Sequence, residues 1–259
     1  MEDKKKISPL YRLIKWLVWL FSPKMTVEGA ENIPDGPVVI VGNHTQMYGP
    51  IACELYSPIK RCTWCAGQMM HWKEVPGYAY QDFWSQKPRG VRWFYRILAC
   101  LITPLSVCVF NNAETVPVYR DSRIITTFRE SIRRLQEGAA LVIFPEHDLK
   151  YNNILYAFED KFIDVARFYY KKTKQELCFV PLYIAPRLKK MIYGKPVRFD
   201  ASAPIQAERE RICRELADAI TAMACAQPLH TVIPYRNIPK RLYPKNLPLE
   251  VYSHEENPG

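Results

Sequence analysis

What most limits the fold of this 259-residue chain is the alternation of short β-branched runs with stretches of helical periodicity. Pro37-Val38-Val39-Ile40-Val41-Gly42, Leu141-Val142-Ile143-Phe144 and Phe179-Val180-Pro181-Leu182-Tyr183-Ile184 read as strands buried on both faces, since each is apolar without a polar alternate. Ile124, Phe128, Ile132 and Leu135 fall at helical spacing, with Arg129, Glu130, Arg133 and Arg134 on the wet side. Phe158, Phe162, Val165 and Tyr169 predict a second helix, and Ile212, Leu216, Ile220 and Met223 a third. Strands interleaved with amphipathic helices predict an α/β fold, a mainly parallel sheet flanked by helices. In such sheets chemistry collects at the carboxyl ends of the strands. Pro181 removes one ladder bond from its strand, which predicts an edge or a bulge there.

The ends differ from this middle. Residues 1–26 hold Lys4, Lys5, Lys6, Arg12, Lys15 and Lys24 against Glu2 and Asp3, around an apolar helical stretch with Leu10, Leu13, Ile14, Leu17 and Phe21 in register. Trp16 and Trp19 flank it, and the stretch is too short and too charged to span a bilayer. Cations with tryptophans on a short apolar helix suit the headgroup region, so an N-terminal amphipathic membrane-interface helix is one reading; a helix packed on the core is the other. The segment from Ile97 to Phe110 is uncharged and contains Pro104, which predicts a kinked helix, buried or interfacial. After residues 27–226, the α/β domain, residues 227–259 form a Pro-studded basic tail, expected to run over the surface in extended form.

A net charge of +10 favours an anionic partner: nucleic acid, a phospholipid surface, or a phosphorylated or CoA-bearing substrate. No nucleic-acid motif is present and the cations gather at the ends beside tryptophan, so nucleic acid is set aside in favour of an anionic membrane. Eight cysteines without a framework fit a reducing compartment. Cys62 and Cys65 lack the second pair or spaced histidines that a zinc tetrahedron needs, so no metal is expected. These features place the chain at the cytoplasmic face of a membrane, peripheral or monotopic.

Four short segments offer chemistry. Asn43-His44-Thr45 follows the first strand, where a histidine is placed to act as a general base, a structural histidine being the plainer alternative. Val116 to Arg123 delivers Arg120 and Arg123, whose guanidinium groups suit a phosphate, or else make solvated cations beside Asp121. Phe144-Pro145-Glu146-His147-Asp148 sits at another strand end, and Val180 to Ile184 is the fourth.

In that order, with the approach Val27-Glu28-Gly29-Ala30-Glu31-Asn32-Ile33-Pro34, the four segments resemble the glycerolipid acyltransferase family of the lysophosphatidate type, from Val27 to about Phe199. The resemblance implies O-acyl transfer from an acyl-CoA or acyl carrier protein thioester to a lysophospholipid hydroxyl, with no cofactor. In that family the first motif is His, four residues, then Asp; here His44 is present and the aspartate position is Gly49. The resemblance makes His44 the base, with Asn43 beside it, Arg120 binding the acceptor's phosphate, and Glu146, from a third motif that keeps Phe-Pro-Glu and loses Gly-Thr-Arg-Ser, meeting the acceptor; Arg123, delivered by the same strand, is a further headgroup candidate. Lys150 replaces the lost arginine's charge, Val180 and Pro181 line the acyl region, and Asp148 is the substitute acid preferred over Glu54 and Asp82. A protein of the same fold that binds lipid or acyl thioester without turnover is the alternative.

Overall fold

A computed structural model describes residues 7–85 and 87–247; the distal part of the tail and the first six residues, with Lys4 to Lys6, lie outside the described residues. The chain runs α1 (Pro9–Phe21), β1 (Thr26–Glu28), β2 (Val38–Gly42), α2 (Tyr48–Tyr56), β3 (Arg61–Ala66), α3 (Val75–Ala79), α4 (Arg92–Leu101), α5 (Thr103–Asn112), β4 (Thr115–Val118) and α6 (Ile124–Gln136). It continues through β5 (Ala140–Ile143), β6 (Glu146–Lys150), β7 (Tyr156–Phe158), α7 (Asp164–Thr173), β8 (Cys178–Ala185), β9 (Lys190–Tyr193), β10 (Val197–Arg198) and α8 (Ile205–Cys225). The fold is α/β, a mostly parallel sheet with helices, as the strand and helix patterns predict. Where the sequence places one domain over 27–226, the chain divides into two compact units, the described residues of 1–22 with 62–130, and of 23–61 with 131–259.

The second unit carries the strand order β1-β9-β8-β2-β5. β2 pairs in parallel with β5, Val39 opposite Leu141, and with β8, Gly42 opposite Leu182; β1 pairs in parallel with β9, while β8 and β9 are antiparallel. Val38, Ile40, Val142, Val180, Leu182 and Ile184 form one buried cluster with Ala52 and Cys53 of α2, which explains why these strands read as unbroken apolar runs. α8 covers the strand on the other side through Ala217, Ile220 and Ala224, packed with Tyr183 and Val232.

Pro181 lies inside β8, between two neighbours, rather than at an edge. The sheet accommodates it by a break in the adjacent strand. A strand residue's N–H and C=O point to the same side, and the Pro181 carbonyl accepts from Gly194 N–H at 2.8 Å, in the gap where β9 has ended and β10 has not begun. The missing N–H therefore faces the same gap rather than a paired residue of β9 or β10. Gly194 is needed there, because a Cβ would lie 2.9 Å from the Pro181 ring and 3.1 Å from Met223 Sδ.

Two further expectations are corrected. Phe158 is not on a helix with Val165 and Tyr169: it ends β7, which pairs with β6 as an antiparallel hairpin with a bulge, and α7 starts only at Asp164. Residues 228–247 are not a loose surface tail. His230, Val232, Ile233 and Asn246 are buried, Thr231 bridges Lys245, and Asn246 Nδ2 donates to the Ala224 carbonyl at the end of α8.

In the first unit β3 and β4 pair in parallel, Thr63 opposite Thr115. α4 and α5 are one bent pair, turned by 42° at Ile102, with Pro104 in the first turn of α5 where its missing N–H costs nothing. Among the described residues no single helix is long and apolar enough to cross a membrane; the bent pair taken together has the length and composition of a broken span or re-entrant loop. α1 buries Tyr11 and leaves Leu10, Leu13, Trp16, Leu17, Leu20 and Phe21 exposed, Phe21 at 82%. α4 and α5 do the same with Trp93, Ile97, Leu101 and Leu105, one helical turn apart.

Candidate active site

The site is built in the second unit where β2 and β5 end side by side. β2 stops pairing at Gly42, and Asn43 extends the join with its side chain: Oδ1 accepts from Ile184 N–H at 2.7 Å and Nδ2 donates to Ile184 C=O at 3.0 Å. The amide thus stands in for one more rung between β2 and β8, and both its ends are committed to backbone. The chain then turns sharply. Thr45 and Gln46 both take left-handed backbone conformations, at φ 46° and 55°, a costly arrangement for a β-branched threonine. Gly49 N–H closes the turn on the His44 carbonyl at 3.1 Å.

Gly49 is the position where the acyltransferase motif would carry its aspartate. A Cβ there would lie 2.4 Å from the His44 carbonyl oxygen and 3.1 Å from that of Asn43. In this turn a side chain at 49 would run into the backbone of residues 43 and 44, so glycine here is a requirement of the local fold.

Glu146 holds the loop from the opposite side. Its Oε1 accepts from His44 N–H at 2.5 Å and its Oε2 from Tyr156 N–H at 2.8 Å, so one carboxylate ties the turn after β2 to the hairpin after β5. Burial pushes its acidity to about 7, against two N–H donors that act to lower it. The expectation that Glu146 meets the acceptor is therefore modified: both oxygens already serve the backbone, and Glu146 positions His44.

The His44 ring lies edge-on between Phe144 and Tyr235, with centroids 5.3 and 5.5 Å away. Its Nδ1 is buried with no hydrogen-bond partner among the described residues, and burial lowers its basicity below the usual histidine value. Such an imidazole is neutral at pH 7, the state a base requires. Asp148 does not back it: that residue is exposed on β6, and among the described residues no carboxylate bonds Nδ1.

The remaining predicted residues are distributed. Lys150 is exposed on β6, opposite Tyr156, with Nζ donating to Asn153 Oδ1 at 2.8 Å. Val180 and Pro181 are buried in β8 within the sheet core. Arg120 and Arg123 belong to the first unit. Arg123 forks onto Glu74 at 3.0 Å and Asp121 at 2.8 Å, stacked 4.1 Å over the Tyr119 ring, whose hydroxyl meets His71 Nε2 at 2.9 Å. Its guanidinium is thus already engaged by two carboxylates. Arg120 is exposed in the turn after β4.

The sequence reading missed Tyr235 and Tyr156, whose rings meet at 5.8 Å beside His44, and Gln46, whose Nε2 donates to Tyr243 Oη at 3.1 Å and the Arg236 carbonyl at 3.4 Å. Val232-Ile233-Pro234-Tyr235 is an apolar-aromatic step inside an otherwise basic tail, the one signal that this stretch returns to the core.

No family model and no curated protein matches the sequence. Among solved structures it is similar to the 1-acyl-sn-glycerophosphate (LPA) acyltransferase PlsC from Thermotoga maritima, at 17% identity over 88% of this chain and 85% of that one, with a TM-score of 0.45.

Proposed function

We propose that this protein is a membrane-associated O-acyltransferase that moves a fatty acyl group from acyl-CoA or acyl carrier protein to the hydroxyl of a lysophospholipid of the 1-acylglycerol-3-phosphate kind. The observation that carries this reading is the Glu146 carboxylate bonded to both His44 N–H and Tyr156 N–H. It brings the first and third of the four family-like segments together at the carboxyl ends of adjacent parallel strands, where α/β proteins keep their chemistry. His44 takes the proton of the acceptor hydroxyl while the oxygen attacks the thioester carbonyl. The carbon–sulfur bond then breaks, and the leaving thiolate recovers the proton from the imidazolium.

The exposed apolar stripes of α1 and of α4 with α5, bordered by Arg12, Lys15, Arg89, Arg92 and Arg96, support attachment to an anionic phospholipid surface at its cytoplasmic face. The acyl thioester and the lysophospholipid are substrates, and the reaction as written needs no cofactor.

The partnerless Nδ1 favours one further reading, a protein that binds lipid or acyl thioester without turnover. In serine-protease triads, replacing the acid behind histidine by its amide lowers turnover by about 10⁴. Transfer of a labelled acyl group from both donors to a panel of lysophospholipids separates the two. Product formation supports the transferase, whereas tight binding of donor or acceptor with no product under any pairing supports the binder.

A further inference from the structure

We propose that the C-terminal segment 228–247 is part of the site, and that Arg236 supplies the cation for a phosphate group of one of the two substrates. The proposal rests on the acyltransfer reading for the identity of those substrates. The segment is fastened at its base: His230 N–H donates to Asn246 Oδ1 at 2.7 Å, His230 Nε2 meets Tyr183 Oη at 2.7 Å, and Asn246 Nδ2 holds the end of α8. From this base the chain carries Tyr235 onto the face of the site, against both His44 and Tyr156. Gln46, in the strained turn, then pins the next residue by its carbonyl. Residue 236, next in sequence to the ring that contacts the imidazole and with its own carbonyl held by Gln46, is thereby fixed at the rim of the site by three contacts from two parts of the chain.

Its chemistry fits an anion. Arg236 is exposed and enters no ion pair among the described residues, unlike Arg123 with its two carboxylates. Burial holds the Tyr156 hydroxyl above the usual tyrosine range; the Arg236 guanidinium lies near enough to act the other way, while Glu146 and Asp148 act with burial. A guanidinium with open donors matches a phosphate bidentately. That phosphate belongs either to the acceptor headgroup or to the pantetheine-bearing donor.

The test uses the full chain with Arg236→Gln and Arg236→Lys, varying lysophosphatidate and acyl-CoA separately, with monoacylglycerol as the uncharged acceptor. Loss of one charge-assisted contact predicts a KM raised roughly 10- to 100-fold for the phosphate-bearing partner. The lysine variant should recover part of it, and monoacylglycerol should be unaffected if the acceptor is the source. A rise for lysophosphatidate assigns the headgroup, and a rise for acyl-CoA assigns the donor. An unchanged KM for both overturns the proposal. Should the wild type transfer nothing, equilibrium binding of lysophosphatidate and of CoA decides independently: weaker binding by Arg236→Gln supports the role of Arg236, while equal binding, or none by the wild type, overturns it.

Discussion

Gly49→Ala separates a backbone requirement from a lost catalytic group. In an ordinary helix interior alanine replaces glycine with a gain of up to about 1 kcal/mol. Here the new Cβ would stand 2.4 Å from the His44 carbonyl oxygen. The turn must open, against a grip on His44 N–H by Glu146 at 2.5 Å and a Gly49–His44 bond at 3.1 Å. Overpacking of this kind costs about 1–3 kcal/mol and a lost hydrogen bond about 1 kcal/mol more. Set against the helix gain, the net is a destabilisation of about 1–3 kcal/mol, read as a lowered urea midpoint at unchanged slope. Gly49→Asp should show the same loss and no gain in acyl transfer. A Gly49→Ala protein as stable as wild type, or a Gly49→Asp protein that is faster, would refute the reasoning.

Glu146→Gln should change how stability depends on pH. The native carboxyl is held near 7 against an ordinary 4.5, so the folded state keeps a proton that the unfolded state loses. This group's contribution therefore falls as pH rises from about 4.5 to about 7, by on the order of 3 kcal/mol, and the slope should be missing from the glutamine variant in parallel denaturation series. Asn43→Ala removes both bonds to Ile184 and leaves its N–H and C=O exposed to an apolar interior, a loss of about 2–4 kcal/mol by chemical denaturation; a loss under 1 kcal/mol would mean that Asn43 is not a splice. Leu17→Glu with Trp93→Glu should abolish co-sedimentation with anionic vesicles without changing the melting temperature, since both side chains are exposed. Undiminished sedimentation of that variant would remove the membrane role from α1 and α4.

Much of this architecture was legible as pattern. β2, β5 and β8 are buried on both faces, and such strands must be continuously apolar; α8 covers only one layer and so shows a periodic stripe. The position of His44 at a strand's carboxyl end followed from the same runs. What escaped depends on partners distant in sequence. Pro181 reads as an edge residue because sequence shows the missing N–H but not the break between β9 and β10 that faces it. Glu146 reads as a substrate ligand because nothing local reveals that Tyr156 N–H and His44 N–H both point at it. Gly49 reads as a deletion of chemistry, and only the left-handed turn at Thr45 and Gln46 shows why no side chain fits. Tyr235 lies in a proline-rich stretch whose composition favours solvent, yet a histidine and an asparagine anchor it.

The central claim is that a neutral, buried His44 is the base of an acyl transfer. Single-turnover transfer from acyl-CoA to lysophosphatidate, compared between wild type and His44→Ala at pH 7.5 and equal folded fraction, addresses it most directly. The account predicts that the wild type forms the diacyl product and that the alanine variant is slower by at least about 10². Equal rates in the two proteins would contradict it.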